Sequence, residues 1–267
     1  MRKIDTQGPV GDEFASWRQK AQMARDQIIC RYRETGEISE PDPEILRDLK
    51  ERFLIVVFHS KCAYCESKIF IENFPGEVDH YRPRGAVTAN RKRIKHTGYF
   101  WLVYEWDNLL LVCHDCNSGH GEFIGDERIS HPGKSMEFPI TGERVTSPPE
   151  DQTTWTEDLK KEFPLLLNPY HDEPSDHISF DDMGVPYARD GSERGKETIK
   201  TCHLDRMGLC ERRRSFAKEL FKSRIHHAIE VHGAEFYEAD DAFSTWLKHA
   251  FPMLMKEFSM RAGLVPK

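Results

Sequence analysis

Hydrophobic residues near the N-terminus recur with the 3.6-residue period of an amphipathic helix. Phe14, Trp17 and Ala21 fall on one stripe, which predicts a helix over residues 11–34. After a turn, apolar residues spaced by four predict a second helix over 41–58. We expect these two helices to form a hairpin that packs on the rest of the chain.

The pattern changes after residue 58. Segments 77–80 and 108–113 are short and strand-like, and a Pro-Gly dipeptide at 75–76 predicts a turn between elements. The prolines and glycines of 133–149 predict a loop. This part of the chain is therefore expected to hold a small, turn-rich core.

The C-terminal part returns to helical patterning. Segment 177–187 predicts two short strands around Gly184, and 193–231 and 240–260 predict two helices. The expected class is α+β, with a small core inserted among mainly α-helical N- and C-terminal regions. The predicted regions are 1–58 (helical), 59–130 (core) and 131–267 (acidic linker, short hairpin and helices).

Composition excludes a membrane protein. The 267 residues are 38% hydrophobic and 31% charged, and no apolar run is long enough to span a bilayer. The first eight residues, MRKIDTQG, lack the apolar stretch of a secretory signal. We expect a soluble, cytoplasmic protein.

Charge is unevenly distributed along the chain. The net charge is −7, which argues weakly against nucleic-acid binding. However, residues 80–98 carry six cations and no acid, whereas 150–190 carry eleven acids against three cations. A phosphate-binding surface and a solvated loop both fit the basic segment. Its cations are Arg82, Arg84, Arg91, Lys92, Arg93 and Lys95.

Four of the seven cysteines form two Cys-x-x-Cys pairs. Cys62 and Cys65 form the first pair, and Cys113 and Cys116 form the second. Two such pairs predict a tetrahedral Cys₄ zinc site, with one Zn²⁺ per chain. A closed Cys₄ site has no open position, so this zinc is expected to be structural. The other three cysteines, Cys30, Cys202 and Cys210, are expected to be small buried residues in helices.

The order of motifs CAYCE, EVDHYRP and WDNLLLVCHDCN resembles the HNH (ββα-metal) endonuclease family. More narrowly, it resembles the HNH partner of the Septu and retron-associated ATPase–nuclease defence systems. The specific resemblance covers residues 59–125. It implies a zinc-stabilised ββα-metal core and the hydrolysis of phosphodiester bonds.

Four residues between and after the cysteines are candidates for that chemistry. His80 is the candidate general base, since a neutral imidazole accepts a proton at pH 7. Asp79 and Asn117 are candidate oxygen ligands of a catalytic Mg²⁺ or Mn²⁺. The family pattern makes Asn108 the residue whose amide holds the loop that carries His80. His120 is a further candidate metal ligand, on the same helical face as Asn117 if a helix has begun there.

In this scheme the basic segment binds the nucleic-acid backbone beside the scissile bond. Family resemblance favours DNA over RNA as substrate. It also implies an SMC-like or ABC-type ATPase partner and a role in prokaryotic defence against phage. The alternative is a non-catalytic zinc-ribbon module that binds nucleic acid or a partner protein. That module would need the cysteines and arginines but not Asp79, His80 or Asn117.

Overall fold

The computed structural model describes residues 1–4, 8–69, 76–124, 127–149, 155–230 and 243–261. Within these ranges, helices and small antiparallel sheets combine in an α+β architecture, which confirms the predicted class. None of the described helices is long and apolar enough to cross a bilayer. The helices are α1 (Asp12–Thr35), α2 (Pro43–Leu49), α3 (Ile55–Val57), α4 (His114–Asn117), α5 (Trp155–Lys160), α6 (Glu193–Cys202), α7 (Met207–Glu230) and α8 (Ser244–Arg261).

The strands pair as four separate two-stranded sheets, β1 with β4, β2 with β3, β5 with β6, and β7 with β8. Each is too small to be stable alone, so helices and loops must cover it. The strands are β1 (Glu77–His80), β2 (Thr88–Ala89), β3 (Lys92–Arg93), β4 (Leu109–Val112), β5 (His120–Ile124), β6 (Glu127–His131), β7 (Ile178–Phe180) and β8 (Pro186–Ala188).

The N-terminal helices lie where the hydrophobic pattern predicts them. Helix α1 buries Phe14, Trp17 and Ala21 and ends at Gly36, whose φ of 74° forms a left-handed cap. Helix α2 is capped by the Asp42 side chain. It continues through a π-helical turn, Lys50–Leu54, into α3, so a π-helical turn interrupts the predicted second helix.

Strands β1 and β4 form the centre of the molecule. They pair antiparallel, with Asp79 opposite Leu110 and His80 opposite Leu109. All four residues of β4 are fully buried. Helix α4 begins at His114, directly after β4, with Cys113 at its N-cap.

Two hairpins occur where periodicity predicts no strands. Strands β2 and β3 lie in the 81–107 insertion and are joined by Asn90 and Arg91, which both have positive φ, as in a tight hairpin turn. Strands β5 and β6 follow α4 directly, after a turn at Gly119 with φ 108°. A Cβ at Gly119 would lie 2.4 Å from the carbonyl oxygen of His131, so this close approach requires glycine.

The predicted long helix over 193–231 is wrong in one respect, because the structure divides it into α6 and α7. Helix α6 ends at His203, whose φ of 46° is left-handed. Side-chain periodicity continues across this point, and no glycine or proline in the sequence marks the end of α6. The break directs His203 and Arg206 to two different clusters, both described below.

Buried residues from all three predicted regions form one hydrophobic cluster. Trp101, Tyr104 and Trp106 belong to it, so these aromatic residues serve the core. The division at 58 and 130 stays a prediction. Cys202 and Cys210 are buried as expected, but the expectation for Cys30 is wrong because it lies on the exposed side of α1.

Candidate active site beside a four-cysteine metal centre

The four paired cysteines converge in the structure. Their sulfur atoms all lie within 4.8 Å of one another, and Cys65 Sγ lies 3.7 Å from Cys113 Sγ. Zn–S bonds of about 2.3 Å place the sulfurs of a tetrahedral site about 3.8 Å apart. Among the described residues, this is the only group of three or more metal-binding side chains whose ligand atoms come so close. The cluster therefore fits a structural Zn²⁺.

Strand β4 and Arg206, the residue before α7, contact the two cysteine pairs. The Ala63 amide donates to the Leu111 carbonyl, which fixes the first pair against β4. Both terminal nitrogens of the Arg206 guanidinium lie 3.6 Å from Cys116 Sγ. Because four thiolates and one Zn²⁺ carry a net charge of −2, this buried cation offsets part of that charge.

His80 is the last residue of β1 and is almost completely buried. Its Nε2 lies 3.1 Å from the Val103 carbonyl oxygen, which only accepts, so Nε2 carries the proton and Nδ1 keeps its lone pair. Burial lowers the pKa of His80 to about 4, against the opposing effect of Asp79. The ring is therefore neutral at pH 7 and able to accept a proton.

Asn108 joins the two segments that hold His80. Its Oδ1 accepts from the Arg82 amide at 2.7 Å, and its Nδ2 donates to the carbonyls of Arg82 at 3.2 Å and Leu102 at 3.1 Å. Arg82 lies two residues after His80, and Leu102 precedes the residue whose carbonyl holds the His80 ring. One buried amide thus sets both the backbone and the ring of His80.

Asp79 is held by a pair of buried donors. Its Oδ2 accepts from the Tyr64 hydroxyl at 2.8 Å, and its Oδ1 lies 3.0 Å from Lys134 Nζ. Lys134 is fully buried and also donates to the His80 carbonyl at 2.9 Å. Tyr64 lies between Cys62 and Cys65, so the cysteine cluster positions one of the two donors.

Asn117 has a different partner from Asp79. Its Nδ2 donates to Glu77 Oε2 at 2.6 Å, and His114 and Ser118 contact the same carboxylate. Burial raises the pKa of Glu77, but hydrogen bonds from Asn117 and His114 outweigh this effect and hold the pKa below its usual value. Glu77 and Asp79 are two residues apart and share one face of β1, so the face carries two carboxylates.

Sequence reasoning missed Lys134 and Glu77. Lys134 lies 55 residues after Asp79 in a loop, and no spacing rule connects the two. Glu77 carries a weak signal, since alternation along β1 puts it on the face of Asp79. Asp79 and His80 both pair with β4 in regular register, so their side chains leave opposite faces of β1 and contact different groups.

The basic segment is divided between buried and exposed positions. Arg82 pairs with the buried Glu162 at 2.8 Å and is 12% exposed. Arg91 donates to the carbonyls of Gly133 and Thr201, and Arg84 pairs with Glu40. Arg84 and Arg91 are exposed although they make these bonds, and Lys92, Arg93 and Lys95 are exposed as well.

His120 does not lie on α4, which ends at Asn117. It begins β5, and its ring stacks on His131 with ring centroids 5.0 Å apart. His120 and Asn117 therefore do not share a helical face, which was the condition for His120 as a further metal ligand.

Comparison with known proteins identifies relatives of the chain. Septu protein PtuB from Bacillus mycoides (strain KBAB4) is 35% identical over 172 residues, which cover 63% of this chain and 51% of the relative. The chain is similar to Septu proteins. Septu protein PtuA from the same strain is 31% identical over 183 residues, or 68% of this chain and 23% of PtuA. Septu protein PtuB from Bacillus thuringiensis is 26% identical over 155 residues, or 58% of this chain and 40% of that PtuB.

The matched part spans about half of the first Septu relative and less than a quarter of PtuA. No protein-family model matches the chain, and no solved structure matches it. The Septu similarity therefore rests on sequence alone.

Proposed function

We propose that this protein is a metal-dependent HNH endonuclease that hydrolyses phosphodiester bonds, in DNA rather than RNA. The observation that carries the proposal is His80, a neutral, buried imidazole whose Nε2 is fixed by the Val103 carbonyl. A fixed base with an available lone pair is what activation of a water requires. The strand–strand–helix order around it and the similarity to Septu proteins support the same class.

In the proposed reaction, His80 Nδ1 takes a proton from the attacking water. Asn108 keeps the imidazole in place by bonding the segments on both sides of it. Lys134, which bonds Asp79 and the His80 carbonyl, holds the carboxylate and the backbone of β1 together. These residues supply the base and its rigid support.

The chain offers hard oxygen donors for Mg²⁺ or Mn²⁺ at Asp79 and Asn117, which suit these ions chemically. Such an ion would supply stabilisation of the developing charge on the phosphate and the leaving oxygen. In this structure Asp79 bonds Lys134 and Asn117 bonds Glu77. Asn117 contacts Glu77 through Nδ2, so its Oδ1 could bind an ion without the loss of that bond, whereas an ion at Asp79 Oδ1 would have to replace Lys134.

The second candidate function is a zinc-stabilised module that binds nucleic acid without cutting it. Two observations favour this function: Asp79 forms an ion pair with the buried Lys134, and His80 is only 9% exposed. The module would bind the backbone through the exposed cations of the β2–β3 hairpin. It would need neither His80 nor Asn117.

We further propose a role in defence against phage, together with an ATPase partner of the SMC or ABC type. The supporting observation is the similarity to two differently named Septu proteins, PtuB and PtuA. Such a partner would dock on the helical regions that flank the β1–β4 core, and the protein would act in the cytoplasm.

The test is cleavage of plasmid DNA and of total RNA with Mg²⁺ or Mn²⁺, by the protein alone and with an ATPase encoded beside it. We expect metal-dependent cleavage of DNA that is lost in His80→Ala. His171→Ala is the matched control, because His171 is an exposed histidine paired with Asp107. Retained nucleic-acid binding without cleavage, with and without the ATPase, would overturn the nuclease proposal and favour the binding module.

A further inference from the structure

Three histidines from three different elements meet at the edge of the molecule beside α4. His120 begins β5, His131 ends β6, and His203 follows α6. The ring centroids lie 5.0 Å apart for His120 and His131, 5.0 Å for His131 and His203, and 6.0 Å for His120 and His203. We call these three residues the histidine cluster.

These separations are close to those of three imidazoles around one metal ion. With Zn–N bonds of about 2.0–2.1 Å, the ring centroids of a tetrahedral three-histidine site lie about 5.2 Å apart. Two of the three separations, both 5.0 Å, are close to this value, and the third, between His120 and His203, is longer at 6.0 Å. The cysteine cluster is the only described group whose ligand atoms all lie within 4.8 Å, so the ring nitrogens converge only after a side-chain rotation.

The backbone fixes the positions of all three histidines. His120 and His131 are directly opposite each other in the β5–β6 ladder, where paired side chains share one face. Gly119 lets β5 start against the carbonyl of His131. His203 occupies the left-handed position that ends α6, and its ring faces His131. Only the side chains have to move to bind an ion.

Charges of both signs lie close to the cluster. Burial lowers the pKa of His203; Arg91 lowers it further, and Asp205, with a smaller effect than Arg91, raises it. The Arg91 guanidinium donates to the carbonyls of Gly133 and Thr201, which fixes it in place. The negative charge of Asp205 offsets part of the positive charge of Arg91.

The cluster also borders open space. His120 and His131 line a groove of about 610 Å³, together with Asp115, Ser118 and Ser130. Both ring nitrogens of His120 and Nε2 of His131 are buried in this structure. A rotation that turned them toward the groove would leave room there for a water molecule as fourth ligand. Three protein ligands and an open position are typical of metal sites that bind or activate a further ligand.

We propose that His120, His131 and His203 form a second metal site, which binds an ion of the zinc class through three imidazoles with its fourth position open to the groove. Imidazole ligands suit Zn²⁺ and the neighbouring transition metals better than Mg²⁺ or Ca²⁺. The site is separate from the four cysteines and from Asp79. A bound ion would fasten the β5–β6 hairpin to the end of α6.

The experiment is elemental analysis of the full chain after removal of metal and dialysis against Zn²⁺. We expect two zinc ions per chain, and one in His131→Ala and in His203→Asn. Asparagine tolerates the left-handed backbone at 203, so His203→Asn removes the imidazole with little strain. The control His171→Ala should keep both ions, because His171 lies outside the cluster.

One zinc per chain in the unaltered protein, or two in both histidine variants, would overturn the proposal. Titration of the unaltered protein with Co²⁺ tests the site without any substitution. The first equivalent should produce the absorption of thiolate-to-cobalt charge transfer, and the second should add absorption without increasing that band. Failure to bind a second equivalent of Co²⁺ would also overturn the proposal. Neither the elemental analysis nor the titration depends on nuclease activity.

Discussion

Lys134 and Asp79 form a buried ion pair, with Lys134 Nζ 3.0 Å from Asp79 Oδ1. The Lys134 side chain is fully buried and that of Asp79 is 4% exposed. The same ammonium group bonds the His80 carbonyl, so one residue supports both members of the Asp79–His80 pair.

Removing the ammonium should destabilise the fold, because among the described residues it leaves the buried Asp79 carboxylate with the Tyr64 hydroxyl as its side-chain donor. We expect Lys134→Met to lower the free energy of unfolding by about 3–5 kcal/mol, measured by urea denaturation. Adding Asp79→Asn to that variant should recover part of the loss. The control Lys160→Ala breaks an exposed pair with Glu157 and should cost at most about 0.5 kcal/mol. Equal losses in both single variants would contradict the role of Lys134.

The cysteine cluster should hold one ion that stabilises the fold. We expect Cys116→Ser to lose one zinc per chain and to lower the melting temperature, because the metal ties the loop of Cys62 to the start of α4. Cys30→Ser is the matched control, since Cys30 is exposed on α1 and should change neither quantity. Unchanged zinc content in Cys116→Ser would show that the four cysteines do not form the site.

Asn108 should act on the position of His80. Under the proposed function, Asn108→Ala should reduce DNA cleavage about 100-fold while DNA affinity stays unchanged, because a misplaced base loses its alignment. It should also lower stability by about 1–3 kcal/mol, since buried backbone groups of Arg82 lose their partners. Cleavage that falls only in proportion to the folded fraction, measured by circular dichroism, would leave Asn108 with a structural role alone.

The cations of the basic segment should separate into two groups. Lys92 and Arg93 are exposed on β3, so their joint replacement by alanine should weaken DNA binding. It should also reduce the slope of log K against log salt by about 1.8, since each lost phosphate contact is worth about 0.9. Arg82→Ala should instead lower stability and leave the slope unchanged, because its guanidinium is bonded to Glu162. A slope reduced as much by Arg82→Ala would mean that Glu162 releases this arginine to DNA.

Much of the fold was predictable where the signal is local. Strand β1 matches the predicted 77–80 segment, and α1 differs from its prediction by one residue at each end. The division at His203 and the β5–β6 hairpin were not predictable. Both depend on positive φ angles, at His203 and Gly119, which hydrophobic periodicity does not record.

The sequence by itself determined the two cysteine pairs, the Asp79–His80 dipeptide and the asparagines that follow. Chelate spacing and strand alternation depend on residues only a few positions apart, so they can be recognised along the chain. Only the tertiary structure decided which partners these residues take. Lys134 meets Asp79, Glu162 meets Arg82 and His203 meets His131 across 55, 80 and 72 residues. Such pairs form because a buried charge or ring must find its partner in the folded chain, and sequence distance places no limit on where that partner lies.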